Sequence, residues 1–303
     1  MEQVSFDQST GASAARSEKI VAWLQEKAAL PKSGLMLDIG CGNGAFLRAF
    51  GRSNPTWEME GLELDARNKA LIESIPGVRK LQVGPASNLM DRFDLIVMVH
   101  ALEHIPDPVN FLRSLTRLLN PGGQLLIEVP DLATSPFDIL IADHCTHFSV
   151  DTLSGVVTQA GYMSVVIDST CVTKELTLLA RPSVGRAQAG ATSGMRDEAT
   201  AESHIQWLHK LLEQGRLAAG QVGVFGTSIS GTWMAAALGE KIEFFVDEDP
   251  SRSGRSQLGL PIFGPENAPK DRVILMPLRE DIAVAVAARL APYRLQLTTP
   301  PTK

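Results

Sequence analysis

The stretch LMLDIGCGNGAFLRAF, from Leu35 to Phe50, runs from apolar residues through three glycines into a helical pattern. Gly40, Gly42 and Gly44 carry no Cβ, so a ligand can approach the backbone N–H groups at the start of the helix. The spacing is GxGxG, whereas dinucleotide-binding turns use GxGxxG. Asp38 lies two residues before the first glycine, and an acid there suits a cationic or amine-bearing ligand better than a pyrophosphate.

Predicted strands and helices alternate along the chain around this turn. A lead-in helix is predicted near Ala14–Ala29, before Pro31. Apolar runs then alternate with helical patterns; these runs are LMLDIG, EMEGLEL, RKLQVG, FDLIVMV and GQLLIEVP. Short strands that alternate with helices imply parallel βαβ units with right-handed crossovers. The predicted fold class is α/β, with a Rossmann-like doubly wound domain followed by a smaller Rossmann-like α/β domain.

The chain has 303 residues, enough for two domains. The first domain is predicted over residues 1–182. The segment PSVGRAQAGATSGMRDEATAES is rich in small residues, so residues 183–203 are interpreted as a linker and the start of a connecting helix. The second domain is predicted over residues 204–303, where VGVFGTSISGTWMAAALG repeats the order of strand, glycine turn and helix.

Composition and charge exclude several classes of protein. The net charge of -6 argues against a nucleic-acid partner. Cys41, Cys145 and Cys171 form no CxxC pair, so neither a disulfide framework nor a zinc ribbon is indicated and a cytoplasmic location is expected. No stretch approaches the roughly 18 consecutive apolar residues of a membrane span, and the N-terminus has no apolar signal region, so no membrane partner is expected.

The glycine turn and the strands after it resemble the class I S-adenosylmethionine-dependent methyltransferases from about Lys32 to Pro182. Glu63, in GLELD, stands at the end of the next strand, where a carboxylate can accept hydrogen bonds from both ribose hydroxyls. VGPASNL has no carboxylate for the adenine amine, so backbone groups or Ser87 would replace it. The resemblance implies S-adenosylmethionine as cofactor, held by Asp38, Gly40, Cys41, Gly42, Gly44, Glu63, Ser87, Val99 and His100.

The segment DHCTHFSVDTL, from Asp143 to Leu153, places two imidazoles and a carboxylate just ahead of a helix that Ser149 would cap. It resembles the YEHLSFFS element of sugar C-methyltransferases, with His144 on the histidine, Asp143 on the glutamate and Ala142 in place of the tyrosine. The paired CxxC motifs of that family's N-terminal zinc module are missing. His144 is the first choice for a catalytic base, His147 and His104 are the reserves, and Asp143 would orient an imidazole. A purely structural helix cap with solvated histidines remains the alternative.

The sequence contains two sets of residues of metal-binding type: the first has no identifiable fourth ligand, and the second has four residues at an unfavourable spacing. His100 and His104, in HALEH, would lie one turn apart if this segment were helical. The other set, Asp143, His144, Cys145 and His147, would need a crowded, irregular geometry. The sequence therefore leads to no metal prediction.

The second domain has its own glycine turn, with Thr227 and Ser228 at a helix N-terminus and Asp247 at the end of the next strand. VDEDPSRSG and GLPIFGPE resemble the C-terminal domain of the sugar C-methyltransferases. Thr227, Ser228 and Asp247 are therefore predicted to bind the nucleotide of the acceptor, and a domain that only covers the active site or forms a homodimer is the alternative.

The predicted function is methyl transfer to carbon or oxygen of a sugar nucleotide or related saccharide precursor. Two alternatives are O-methylation of a small hydroxylated metabolite and a non-catalytic, cofactor-binding scaffold.

Overall fold

The computed structural model describes residues 4–6, 13–183 and 194–302. It divides the chain into two compact units, one formed by Met1–Asp138 and Ala142–Asp197 and the other by Ile139–Ile141 and Glu198–Lys303. Residues 184–193 of the predicted linker lie outside the described residues. Among the helices that the structure describes, none has both the length and the apolar composition that a membrane crossing requires.

The first unit is built around a seven-stranded sheet. Its described elements are β1 (Val4–Phe6), β2 (Ser13–Ala15), α1 (Arg16–Lys27), β3 (Leu35–Ile39), α2 (Ala45–Ser53), β4 (Glu58–Glu63), α3 (Lys69–Glu73), β5 (Val78–Val83), β6 (Phe93–Val99), α4 (Pro108–Leu115), β7 (Leu119–Pro130), α5 (Val150–Gln159), β8 (Tyr162–Asp168) and β9 (Glu175–Pro182). The strand order is β5-β4-β3-β6-β7-β9-β8, and β1 pairs separately with β2. The neighbouring strands β5, β4, β3, β6 and β7 are parallel, whereas β9 runs antiparallel to both β7 and β8.

Helices cover both faces of this sheet because the strands are apolar on both sides. Met36 and Leu95 belong to the core cluster that contains α1 and α2, whereas the next residues, Leu37 and Ile96, belong to the cluster that contains α4 and α5. Successive side chains of a strand point to opposite faces, so one apolar run supplies two cores. The predicted Rossmann-like, doubly wound domain is confirmed.

The carboxyl ends of the parallel strands lie at one edge of the sheet, which is where open α/β sheets bind ligands. The glycine turn follows β3, Glu63 ends β4, and the HALEH segment follows β6. The polar residues singled out in the sequence therefore come from neighbouring strands at the same edge.

The second unit is a smaller α/β fold with a six-stranded sheet. Its described elements are α6 (Gly194–Leu217), which begins within the first unit, β10 (Val222–Phe225), α7 (Ile229–Leu238), β11 (Ile242–Val246), β12 (Ser256–Gln257), β13 (Leu260–Phe263), β14 (Val273–Leu275), α8 (Glu280–Leu290) and β15 (Gln296–Thr298). The order is β12-β13-β11-β10-β14-β15, and only β12 is antiparallel to its neighbour. The predicted second Rossmann-like domain is confirmed, with the outer strands β12, β13 and β15 in addition to the predicted ones.

Candidate functional site

The glycine turn between β3 and α2 takes a conformation that L-residues with side chains rarely adopt. Gly40, Gly42 and Gly44 have φ angles of 72°, 55° and 79°. A Cβ at Gly40 would lie 2.9 Å from the Cβ of Ala101, so the segment after β6 packs directly against the turn. A Cβ at Gly42 would meet no described atom within 4 Å. The turn is therefore closely packed at Gly40 and open at Gly42.

Two carboxylates at the turn keep hydrogen-bonding capacity for a ligand. Asp38 is buried, and its Oδ2 has no hydrogen-bond partner among the described residues. Glu63 Oε1 accepts a hydrogen bond from the Gly42 N–H at 2.6 Å, which draws this acid to the loop. Burial, with a smaller contribution from the nearby Glu63 carboxylate, raises the pKa of Asp38 to about 8. A cationic donor would relieve this buried acid, so the pair fits the ammonium and the ribose hydroxyls of S-adenosylmethionine.

Three other residues predicted to bind the cofactor, Cys41, Ser87 and Val99, have side chains whose contacts give less support for that role. The thiol of Cys41 packs into the core, where a Cβ at Gly61 would lie 2.6 Å from its Sγ, and burial raises its pKa. Its backbone is therefore the part left for a ligand. Ser87 is exposed in a 3-10 turn after β5, with Oγ 3.4 Å from Asn88 Oδ1, and Val99 ends β6 half-buried. Their roles as cofactor-binding residues stay predictions.

His100 lies among buried acids rather than beside His104. Its φ angle is 51°, and its Nδ1 and Nε2 are 3.1 Å from Glu103 Oε1 and 3.2 Å from Glu175 Oε2. Burial alone lowers the pKa of His100, but the neighbouring carboxylates of Glu103, Glu128 and Glu175 outweigh it and raise this pKa well above its ordinary value. These acids therefore favour the charged form of the imidazole.

The expected one-turn spacing of His100 and His104 is not formed. Leu102–His104 makes a short 3-10 turn, and α4 begins only at Pro108, where Asp107 caps it. The left-handed conformation of His100 also turns its backbone out of any helix, so the two rings belong to different clusters of acids. Among the described residues, the two histidines therefore do not form the one-turn pair that the sequence suggested.

A single buried carboxylate holds two of the predicted catalytic histidines. Asp138 is 4% exposed, and its Oδ1 and Oδ2 lie 2.7 Å from His144 Nδ1 and 2.6 Å from His147 Nδ1. Asp143, which the sequence suggested as the orienting acid, is exposed and lies 3.4 Å from His104 Nδ1. Asp138 is thus the carboxylate that contacts His144 and His147, whereas Asp143 lies beside His104, and the orienting role of Asp143 stays a prediction.

The loop that carries these histidines is fixed to the segment after β6. The backbone N–H groups of Cys145 and Thr146 donate to the carbonyl oxygen of Glu103 at 2.7 and 3.2 Å. The rings of His104 and His144 meet edge to face, with centroids 4.8 Å apart. Because Ala101 packs on Gly40, the histidine cluster and the glycine turn share one connecting segment.

Ser149 confirms the predicted helix cap. Its Oγ accepts a hydrogen bond from the Thr152 N–H at 3.2 Å, and Thr152 Oγ1 accepts one from the Ser149 N–H at 2.8 Å. This capping box starts α5 at Val150 and sets where the histidine loop ends.

Most polar groups around the glycine turn of the second unit hydrogen-bond to one another. Asp247 Oδ2 accepts hydrogen bonds from the Thr227 N–H at 2.9 Å and Oγ1 at 2.5 Å, and Oδ1 accepts one from the Asp249 N–H at 3.0 Å. Arg252 Nη1 lies 3.4 Å from the same Oδ2. Ser228 is exposed, with Oγ 3.4 Å from Ser230 Oγ. Acceptor binding by Thr227, Ser228 and Asp247 stays a prediction, and Asp247 is the least available of the three.

Comparison with known proteins identifies the first unit. The family model described as a methyltransferase domain matches residues 13–166, just over half of the chain. The ubiquinone biosynthesis O-methyltransferase of Pseudomonas paraeruginosa is 32% identical over 114 residues, 36% of this chain and 49% of that protein. The chain thus spans about half the length of these curated relatives.

Another relative matches over both units. The C-methyltransferase NovU of Streptomyces niveus is 25% identical over 284 residues, covering 82% of this chain and 67% of that protein. The solved structure of CalO1, a methyltransferase in calicheamicin biosynthesis in its SAH-bound form, covers 55% of this chain and 54% of that chain, with 20% identity and a TM-score of 0.44. The family match and the polar glycine turn lead to one conclusion: the chain belongs to the methyltransferase-domain family, and this match indicates S-adenosylmethionine as its cofactor.

Proposed function

We propose that this enzyme methylates a carbon atom of a sugar nucleotide or related saccharide precursor, with an imidazole held by Asp138 as the base. The observation that carries the proposal is the buried Asp138 carboxylate, whose two oxygens contact Nδ1 of His144 and of His147. A structural cap does not need two imidazoles oriented by one acid.

The cofactor supplies an electrophilic methyl group, and the protein would hold it through Asp38, the Gly42 N–H and Glu63. Methyl transfer is an in-line displacement, so positioning of the acceptor contributes most of the acceleration. A carbon acceptor has an added requirement, since a proton must leave a carbon beside a carbonyl and the charge that develops on the oxygen must be stabilised.

Asp138 prepares both imidazoles for this proton. A carboxylate at Nδ1 keeps the N–H on that nitrogen and leaves the lone pair on Nε2. The same carboxylate would stabilise the imidazolium after the proton is taken. His144 is the first choice by its match to the histidine of the sugar C-methyltransferase element, and its side chain is only 6% exposed. His147, at 31%, is the more accessible partner.

The extent of the sequence matches favours carbon over oxygen. The match to the O-methyltransferase covers only 36% of this chain, whereas the match to the C-methyltransferase covers 82% and includes the second unit. The sugar nucleotide rests on the resemblance of the histidine loop and of the second domain to sugar C-methyltransferases. O-methylation of a small hydroxylated metabolite is the second candidate, supported by the higher identity, 32%, of the ubiquinone biosynthesis relative.

The first test is calorimetric titration of the protein, saturated with S-adenosylhomocysteine, with nucleotide sugars, bare nucleotides and small phenols. Because S-adenosylhomocysteine already fills the cofactor site, the measured heat comes from binding at the acceptor site. A nucleotide sugar that binds more tightly than its free sugar is the expected result. Binding of a phenol with no response to any nucleotide would contradict the proposed acceptor.

The second test separates carbon from oxygen. The acceptor identified by titration is incubated in D₂O with the same saturated protein. We expect deuterium at the carbon beside the carbonyl, because the base removes that proton without methyl transfer. Asp138→Asn is expected to slow this exchange by about 10²- to 10⁴-fold while cofactor affinity is unchanged. Methylation of the acceptor by the active enzyme without any exchange would favour an oxygen acceptor.

A further inference from the structure

We propose that Glu103, His104 and His144 bind a divalent first-row transition-metal cation. A carboxylate oxygen of Glu103 and one ring nitrogen from each histidine lie within 4.8 Å of one another. Two imidazoles and one carboxylate are a ligand set that proteins use for catalytic metal ions with open coordination positions. The sequence did not reveal it, because His144 comes 40 residues after His104 along the chain.

Glu103 has a carboxylate whose burial is not compensated by hydrogen bonds. The residue is 1% exposed, and neither carboxylate oxygen makes a hydrogen bond to a described residue. Oε1 lies 3.1 Å from His100 Nδ1 without hydrogen-bond geometry, and Oε2 has no such neighbour. A buried carboxylate oxygen without a hydrogen bond is costly, and native proteins satisfy such groups with donors or use them to coordinate metals. A cation beside Oε2 would remove this cost.

Both histidines are oriented in the way that metal-binding histidines are. His144 Nδ1 contacts Asp138 Oδ1 at 2.7 Å, and His104 Nδ1 lies 3.1 Å from the carbonyl oxygen of Asp143. Histidines that bind metals almost always donate their other N–H to a carboxylate or a backbone carbonyl. With Nδ1 engaged in each ring, Nε2 is the nitrogen left for the cation.

Two neighbouring sets of ligand-type residues are less suitable. In the set Asp138, His144 and His147, the 2.6 and 2.7 Å contacts are direct hydrogen bonds, so the oxygens and nitrogens already satisfy one another. In the other set, which consists of His100, Glu128 and Glu175, the guanidinium of Arg16 lies 3.8 Å from Glu128 and 3.9 Å from Glu175 and supplies positive charge. The Glu103 set is the one in which buried negative charge meets two imidazoles fixed by other groups.

The ligand types narrow the choice of cation. Imidazole suits Zn²⁺, Fe²⁺, Ni²⁺ and Cu²⁺, whereas Mg²⁺, Ca²⁺ and Mn²⁺ prefer oxygen ligands. Three protein ligands would leave an open position for an oxygen of the acceptor. If the proposed C-methylation is correct, this oxygen would be the carbonyl oxygen that gains charge when the proton leaves carbon. With the cation on His144 Nε2, this imidazole has no lone pair left to act as the base, so His147 would take the proton in place of His144.

The test measures metal binding directly, with no acceptor present. The full chain is stripped with a chelator, and Co²⁺ and Zn²⁺ are titrated by calorimetry, with the visible absorption of Co²⁺ as a second readout. We expect one equivalent per chain, a Glu103→Gln variant that binds at least about 100-fold more weakly, and an Asp138→Asn variant that binds about 10-fold more weakly. His147→Gln is the matched control, since this histidine shares Asp138 but is not a ligand, and it is expected to retain the cation.

Three results would overturn the site: no stoichiometric binding, binding that survives Glu103→Gln, or equal loss in His147→Gln. Circular dichroism and cofactor affinity are measured on every variant to show that it is folded. A variant that differs from the native protein in either measurement is replaced by His104→Gln, for which the same loss of metal binding is expected. Failure of the metal site leaves the D₂O exchange experiment able to support the proposed function. Conversely, a wrong acceptor leaves the metal titration unchanged.

Discussion

The two glycine turns of this protein have the same order of strand, turn and helix, but their polar groups differ in hydrogen bonding. Each joins a buried parallel strand to a helix, and each has an acid at or just after the end of the next strand. In the first turn, the acid at this position, Glu63, accepts a hydrogen bond from the Gly42 N–H, but the buried Asp38 before the turn has an Oδ2 with no hydrogen-bond partner among the described residues. In the second, both oxygens of Asp247 accept hydrogen bonds from Thr227 and Asp249.

This difference leaves hydrogen-bonding capacity for a ligand at Asp38, whereas the polar groups around Asp247 already hydrogen-bond to one another. Open space does not distinguish the turns, since a Cβ at Gly42 would meet no described atom within 4 Å and a Cβ at Gly226 would meet only Ser228 Oγ at 4.0 Å. The strand, turn and helix pattern alone therefore does not identify a cofactor site. The hydrogen-bonding capacity that remains after folding does, because folding rarely leaves buried polar groups unpaired unless something else binds them.

The largest expected effect is the loss of cofactor affinity in Asp38→Asn. Charge-assisted hydrogen bonds contribute about 1.5–3 kcal/mol, so S-adenosylhomocysteine should bind about 10- to 100-fold more weakly at pH 8.5. The Tm should stay unchanged or rise, since the variant removes a buried acid that lacks a partner in the free protein. Calorimetric titration and thermal unfolding measure the two quantities. Unchanged affinity would remove the distinction between the turns.

A second expected effect is a pH dependence of cofactor affinity that comes from the same acid. The pKa of Asp38 is raised to about 8 in the free protein, so the carboxyl group is mostly protonated below that pH. A cationic amine favours the ionised form, so binding must release a proton. Affinity should rise with pH up to about 8, by up to about tenfold per unit, and then level off.

Titrations at several pH values, in buffers with different heats of ionisation, measure both the affinity and the released proton. Asp38→Asn is the control and should lack this proton release. An affinity of the native protein that does not change between about pH 6 and pH 8 would mean that the amine does not contact Asp38.

A third, smaller effect should appear in Asp247→Asn, and it should be on stability. Loss of the charged acceptor weakens the hydrogen bonds from Thr227 and Asp249, which should lower the free energy of unfolding of the second unit by about 1–3 kcal/mol. Hydrogen exchange of β10 and β11 amides measures this locally. Affinity for S-adenosylhomocysteine should be unchanged. A stable variant that has lost acceptor affinity would instead give Asp247 the binding role predicted from sequence.

The sequence predicted the strands and helices that are long and apolar, and it missed those whose formation depends on neighbours. Apolar runs such as those of β3 and β6 are buried on both faces, so their strand identity is local information. The outer strands β12, β13 and β15 have only two to four residues, and their pairing partners supply the register. No local pattern distinguishes such short segments from loops.

The same reason limits what could be predicted of the site. Asp38 and Glu63 lie at the ends of two strands and the glycines follow directly, so their common location could be predicted. Asp138 could not, because it reaches His144 and His147 only through the path of the loop between them. The left-handed conformation of His100, which separates it from His104, likewise depends on the acids that surround it.

The smallest expected effect concerns Ser228, the residue of the second turn whose side chain is least committed. It lies exposed at the N-cap of α7 and makes no side-chain cap hydrogen bond. A helix N-terminus favours an anionic group, so Ser228→Ala should weaken binding of a nucleotide sugar by about 3- to 10-fold, equivalent to one neutral hydrogen bond. Because the side chain is exposed, the Tm should hardly change.

Ser230→Ala is the matched control, since Ser230 is buried and should affect stability rather than affinity. Equal acceptor affinity in native protein and Ser228→Ala would mean that the second turn is structural throughout, and that the acceptor is recognised entirely elsewhere.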